Sequence, residues 1–206
     1  HRVRSGTKAA SPFSIRPTAW VRDEETLPAR NARLVYRAII HASNKKKVWF
    51  AICPENVFLT NAAPYLVFDS DSTDRDAYLL GILNSAVVDW YGHLRISLNL
   101  NFFILYGLPV PLWNPESRIQ KRIGELAAYL GVVKGESYGG AWEALAEQSN
   151  GMQLEAASLE LEALVTLIFE VPDHLLSEIF DGNPTRPSAE EVRAARADAS
   201  EFSEES

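Results

Sequence analysis

Along the stretch "DAYLLGILNSAVVDWYGHLR", residues 76–95, apolar positions recur at helical spacing. Leu79, Leu83, Ala86, Val87, Trp90 and Leu94 fall on one face. Leu80, Val88 and Tyr91 widen that stripe, which predicts a helix buried on more than one side. Gly81, Asn84 and Ser85 interrupt it. Gly81, Ser85 and Ala86 would let a neighbouring backbone come close, although a helical glycine costs ~1 kcal/mol of propensity. A buried Asn84 needs a hydrogen-bond partner. We expect it to tie the helix to an adjacent strand or loop.

Upstream the pattern alternates. "RLVYRAII" (33–40), "VWFAI" (48–52), "VFLT" (57–60) and "YLVF" (65–68) predict four short strands joined by Asn-, Ser- and Pro-bearing turns. The polar run "DSDSTDRD" offers Asp74 or Asp76 as N-cap to the helix that follows. After that helix "SLNLNFFILYG" returns to extended character, and Pro109 and Pro111 keep "LPVPLW" from being helical. Asn114 and Pro115 then mark a helix start, with Ile119, Ile123, Leu126 and Leu130 as its apolar stripe before Gly131. A long helix is expected over 153–169 and a shorter one over 173–181. Ser188 and Glu191 have the spacing of a capping box, but the acidic, Ser-rich segment from Gly182 is expected to be disordered.

The expected class is α+β: a short mixed or antiparallel sheet with a buried central helix, followed by a C-terminal helical segment. Four regions result: a basic arm or truncated segment (1–32), an α+β core (33–113), a helical region (114–181) and the acidic tail (182–206).

Charge sharpens this division. Residues 1–50 hold 11 Lys/Arg against 3 Asp/Glu, whereas 151–206 hold 3 against 13, within a net −7. The basic half suits an anionic partner, and equally a plain solvated surface. Apolar stretches fall short of the ~20 residues that span a bilayer. The single Cys53 allows no internal disulfide, and a cytoplasmic setting is expected. With no initiator Met, the chain reads as an excised piece of a longer protein.

Catalytic constellations are missing from the sequence. His1, His41, His93 and His174 are scattered, no Gly-rich phosphate loop occurs, and Cys53 before Pro54 reads as a buried structural thiol. The acidic run 69–76 lacks the Gly and distal Glu of a calcium loop. We expect neither metal nor cofactor in this chain, and no complete active site.

The ordered segments "RLVYRAI", "ENVFLTNAAPYL", "AYLLGILNSAVVDWY", "NLNFFILYGLPVP" and "LELEALVTLIF" resemble the C-terminal target-recognition region of large N6-adenine DNA methyltransferases. These are the type IIG restriction–modification enzymes and the BREX- and DISARM-type phage-defence methyltransferases of bacteria. The resemblance spans roughly residues 30–170 and is most specific in the helix followed by "NFFIL…LPVP". It implies a missing N-terminal domain that binds S-adenosylmethionine and carries an Asn/Asp-Pro-Pro-Tyr/Phe motif; neither that motif nor a Gly-rich cofactor motif occurs here. The implied role is recognition of double-stranded DNA for a methyltransferase, with or without a fused nuclease, alongside other defence-system subunits. The "LNS" and "LPVP" segments read as scaffold.

Candidate DNA contacts follow from side-chain chemistry, cations for phosphates and amides for base edges. Arg33 and Arg37 share a strand face with Val35 and Ile39; that face meets DNA or is a solvated edge. Lys45, Lys46 and Lys47 form a phosphate clamp or a soluble hairpin tip. Arg95, Asn99 and Asn101 follow the buried helix; their amides read adenine, or cap the helix and close the turn. The competing class is a helical protein-interaction module that binds no DNA and docks through its C-terminal helices; the Leu/Ala-rich "LEAASLELEALVTLIF" suits such helix pairing or ordinary packing against the sheet domain.

Overall fold

The computed structural model describes residues 30–68, 71–132, 138, 140–183 and 185–199. Residues 1–29 of the expected basic arm lie outside these. Eight helices and one two-stranded antiparallel sheet make up the described chain, an α+β fold dominated by helix.

Strand β1 (Arg33–Tyr36) pairs with β2 (Phe50–Cys53) in the register Leu34↔Ile52 and Tyr36↔Phe50. These four side chains point to one face and are buried there, as period-two alternation requires. The other two expected strands do not form. Residues 57–60 stay irregular, with Arg33 Nη2 donating to the Val57 carbonyl. The 65–68 segment makes only a bridge, Tyr65 opposite Val35, flanked by hydrogen bonds from Tyr36 N to Pro64 O and Leu66 N to Leu34 O. Pro64 has no N–H with which to extend the ladder. Beyond β1, residues 38–40 instead pair with 98–100, through Ile40 N to Leu98 O and Leu100 N to Ala38 O.

The apolar stretch 76–95 is two helices rather than one, α1 (Thr73–Asn84) and α2 (Ala86–Arg95). Ser85 separates them with extended backbone (ψ 159°), closing one helix and opening the next. Its hydroxyl donates to Ile82 O at 2.7 Å and accepts from Val88 N at 3.3 Å. Glu162 joins from a later helix: both carboxylate oxygens accept from Ala86 N, at 3.0 and 2.9 Å. The N-cap of α1 is Ser72, not Asp74 or Asp76, because its hydroxyl reaches Arg75 N.

Asn84 has the role its position suggests. Its Oδ1 accepts from Phe50 N and its Nδ2 donates to Phe50 O, both at 3.0 Å. The amide thus occupies the place of a neighbouring strand's peptide group along the edge of β2. Gly81 is the contact point between α1 and α4 (Arg118–Val132). A Cβ there would meet Ile123 Cγ2 at 2.7 Å, and Gly124 on α4 returns the close approach against Asp74 O and Tyr78 N.

After α2, "NFFIL" is not extended: Phe102–Leu105 forms a one-turn helix, α3, because Asn101 Oδ1 caps it at Ile104 N. Asn114 precedes α4 by four residues and makes a turn, accepting from Glu116 N, while Ser117 stands at the cap and accepts from Gln120 N. Gly131 lies inside α4 rather than ending it. α4 packs on α1, on α5 (Gly140–Glu147) and on α6 (Leu154–Ile168). Arg122 ties that layer together, reaching Glu160 at 2.6 Å and Glu125 at 3.0 Å.

The acidic tail corrects the expectation of disorder over 189–199. There α8 (Ala189–Ala199) packs on α6 and α7 (Asp173–Phe180), burying Ala189, Val192 and Ala199. The capping box forms, with Glu191 Oε2 accepting from Ser188 N and Glu191 N donating to Ser188 Oγ. One apolar core runs from Leu34 to Ala199, so the sheet and helical regions stabilise each other.

Candidate nucleic-acid interface

The predicted contacts divide sharply by burial. Arg33 is only 6 % exposed; it donates to Asn31 O and Val57 O, and its guanidinium covers the Tyr65 ring. Lys47 is 4 % exposed and its ammonium caps the carbonyls of His41 and Ala42. Lys46 lies over the Trp49 ring and donates to Asn84 O and Oδ1. These three cations hold the fold together. Lys46 and Lys47 correct the expectation of a three-lysine clamp, because their ammonium groups already donate to carbonyls of the fold.

Four other candidates face solvent: Arg37, Lys45, Arg95 and Asn99. Arg37 folds its Nε back to Ile39 O, leaving the rest of the guanidinium outward. Lys45 is held by its backbone, whose carbonyl accepts from His93 Nε2 at 3.0 Å. Arg95 extends over the Tyr91 ring, 5.0 Å from its centroid. Asn101 is exposed at its outer side while its Oδ1 caps α3.

Arg95, Asn99 and Asn101 come together in one cleft of about 480 Å³ between the end of α2 and α3. Ser97, Leu98 and Phe103 complete its rim. Phe103 stands 76 % exposed beside Phe102 and Tyr106, whose rings stack 6.3 Å apart. Phe102 and Phe103 of "NFFIL" thus form an exposed aromatic corner with Tyr106.

Sequence reasoning missed the residue beneath this face. Asp89 is 2 % exposed in the middle of α2. Its Oδ1 accepts from Lys47 N and Val48 N, and its Oδ2 meets Arg186 at 2.7 Å. It fastens the lysine turn to α2 and brings residues 45–48 beside the Asn84 tie. A carboxylate between Val88 and Trp90 on an apolar helix was the available signal. Glu162 is the other missed anion; burial raises its carboxyl above the usual carboxylate range.

Cys53 is buried and outside any disulfide, and burial pushes its thiol up, which disfavours the reactive thiolate. No group of three or more potential metal-ligating side chains occurs among the described residues. None of the described helices is long and apolar enough to cross a membrane. Against known family models, curated proteins and solved structures, the chain has no match.

Proposed function

We propose that this chain recognises double-stranded DNA as the target-recognition part of an N6-adenine DNA methyltransferase, in a bacterial restriction–modification or phage-defence system. One observation carries the DNA reading. Residues 30–54 contain six Lys/Arg and residues 90–115 contain Arg95, and neither stretch contains an Asp or Glu. Backbone pairing of 38–40 with 98–100 sets the two stretches side by side. Arg37, Lys45 and Arg95 are exposed cations of that surface, with His41 and His93 also exposed. Cations free of neighbouring carboxylates along the chain attract phosphates, and amides beside them suit base edges. Methyl transfer, with S-adenosylmethionine as donor, belongs in this reading to another domain of a cytoplasmic parent protein. The chain itself supplies the choice of DNA site.

Fluorescence anisotropy of a labelled duplex, titrated with this chain at several salt concentrations, tests the reading. The expected result is affinity that falls steeply with salt and weakens about tenfold in Arg95→Glu. Binding that ignores salt and the substitution would sink it.

A second reading, a protein-docking module, draws on Leu94, Leu98, Tyr106 and Leu112, which stand 63 %, 60 %, 81 % and 91 % exposed. Where exposed apolar side chains adjoin in one patch, they mark a surface for a protein partner. Stable complex formation with a purified methyltransferase domain, without DNA binding by this chain, would favour it.

A further inference from the structure

We propose that the cleft between α2 and α3 receives a single unstacked nucleotide of a DNA strand. The Phe103 ring stacks on the base, the Asn99 amide meets its edge, and Arg95 takes the adjoining phosphate. The inference rests on the DNA reading above and names the ligand of that same surface.

The observations come from chemistry that the fold leaves unused. The Asn99 side chain and the Ser97 hydroxyl make no hydrogen bond among the described residues, although backbone pairing and an adjacent buried Leu100 fix their positions. Arg95 has only the Tyr91 ring as partner among the described residues. Asn101 uses its Oδ1 on α3 and keeps its NH₂ outward. Beside these donors Phe103 presents its ring almost wholly to solvent. An aromatic ring with amides and a guanidinium around it, on a stretch without carboxylates, matches a nucleotide in shape, hydrogen bonding and charge.

An apolar protein patch is the rival occupant, and the cleft disfavours it. Covering Phe103 with apolar side chains would strip water from Arg95, Ser97 and Asn99 while giving their donors nothing, a cost for each. A nucleotide satisfies them. A base inside an intact duplex has both faces covered by its neighbours, so stacking on Phe103 requires a base that has left the stack.

Photocrosslinking tests this with the whole chain. The probes are three oligonucleotides carrying 5-iododeoxyuridine: a single strand, a duplex with the analogue unpaired in a bulge, and a fully matched duplex. The expected crosslink maps to Phe103, with yield higher for the bulge and single strand than for the matched duplex, and affinity higher for the bulge than for the matched duplex. Phe103→Ala should abolish that crosslink and weaken the bulged duplex roughly tenfold, as loss of one stacked base does. Phe103→Tyr should restore both. Since Phe103 is exposed, circular dichroism of the variants should be unchanged. Equal affinity for matched and bulged DNA, with Phe103→Ala silent, would overturn the nucleotide site and leave the DNA reading standing. Absence of binding to all three probes at low salt would overturn both.

Discussion

At the level of single residues, the fold depends on polar side chains that do the work of backbone. Asn84 pairs with both hydrogen-bonding groups of Phe50, so Asn84→Leu leaves an N–H and a C=O unpartnered at the strand edge. The expected loss is about 2 kcal/mol in urea denaturation; unchanged stability would refute the tie. Gly81 was legible as a contact point from its place among large apolar residues, but its partner was not. Gly81→Ala gains ~1 kcal/mol of helix propensity, yet its Cβ would lie 2.7 Å from Ile123 Cγ2. Overpacking of this kind costs about 1–3 kcal/mol, so the variant should be net destabilised, read as a lower thermal midpoint. The lysines separate in the same way. Lys45→Glu should leave stability within about 0.5 kcal/mol and reduce the salt slope of DNA binding by about 1. Lys47→Glu places a carboxylate where an ammonium caps two carbonyls and should unfold the chain at lower urea.

Elements were legible where a local signal sufficed. The spacing of Leu and Ala predicts α6 to within a residue at each end, whereas α8 forms where disorder was expected, although Ser188 and Glu191 had the spacing of a cap. The break at Ser85 was not legible, because Leu83, Ala86 and Val87 keep helical spacing straight through it. What stabilises the break is distant in sequence: Glu162 accepts from Ala86 N where α2 begins. This gives a pH dependence. Burial raises the Glu162 carboxyl above its ordinary 4.5 in the fold. The native state then holds a proton that the unfolded chain releases, so this group's contribution to stability falls as pH rises from 4.5 through the raised value. Glu162→Gln keeps an acceptor for Ala86 and should remove that decline in denaturation curves taken across the interval. Glu191 behaves oppositely. Its hydrogen bonds from Ser188 hold it below the usual range, so its contribution is present above 4.5 and lost as pH falls through the lowered value. Amide exchange in the first turn of α8 should therefore quicken in acid, and Glu191→Gln should blunt the change.

For the whole molecule, the charge gradient along the chain survives in part as a division in space. The acid-free stretches 30–54 and 90–115 lie together, and the acidic residues of 151–199 sit largely on α6, α7 and α8. If the basic surface meets DNA, removing its exposed cations one at a time should lower the salt slope stepwise, while neutralising Glu190 on α8 should change it little. Fold class followed from the sequence because alternation near the start and helical spacing afterwards are local properties. Strand number did not, since 57–60 and 65–68 needed partners that Pro64 and the Arg33 side chain deny them. The candidate site was legible only as residue types. Arg33, Lys46 and Lys47 look the same in sequence as Arg37, Lys45 and Arg95, and nothing local says which will be buried. The sequence by itself determined the α+β pattern, the amide needing a partner at Asn84 and the basic character of one half. Only the tertiary structure decided that Ser85 breaks the central helix, that three of the cations satisfy carbonyls, and that Arg95, Asn99 and Phe103 share a cleft. The Ser85 break depends on Glu162, the place of Lys46 on Asn84 and that of Arg33 on Val57, all tens of positions away; burial, which decides whether a charge is structural or free, exists only once the chain has closed on itself.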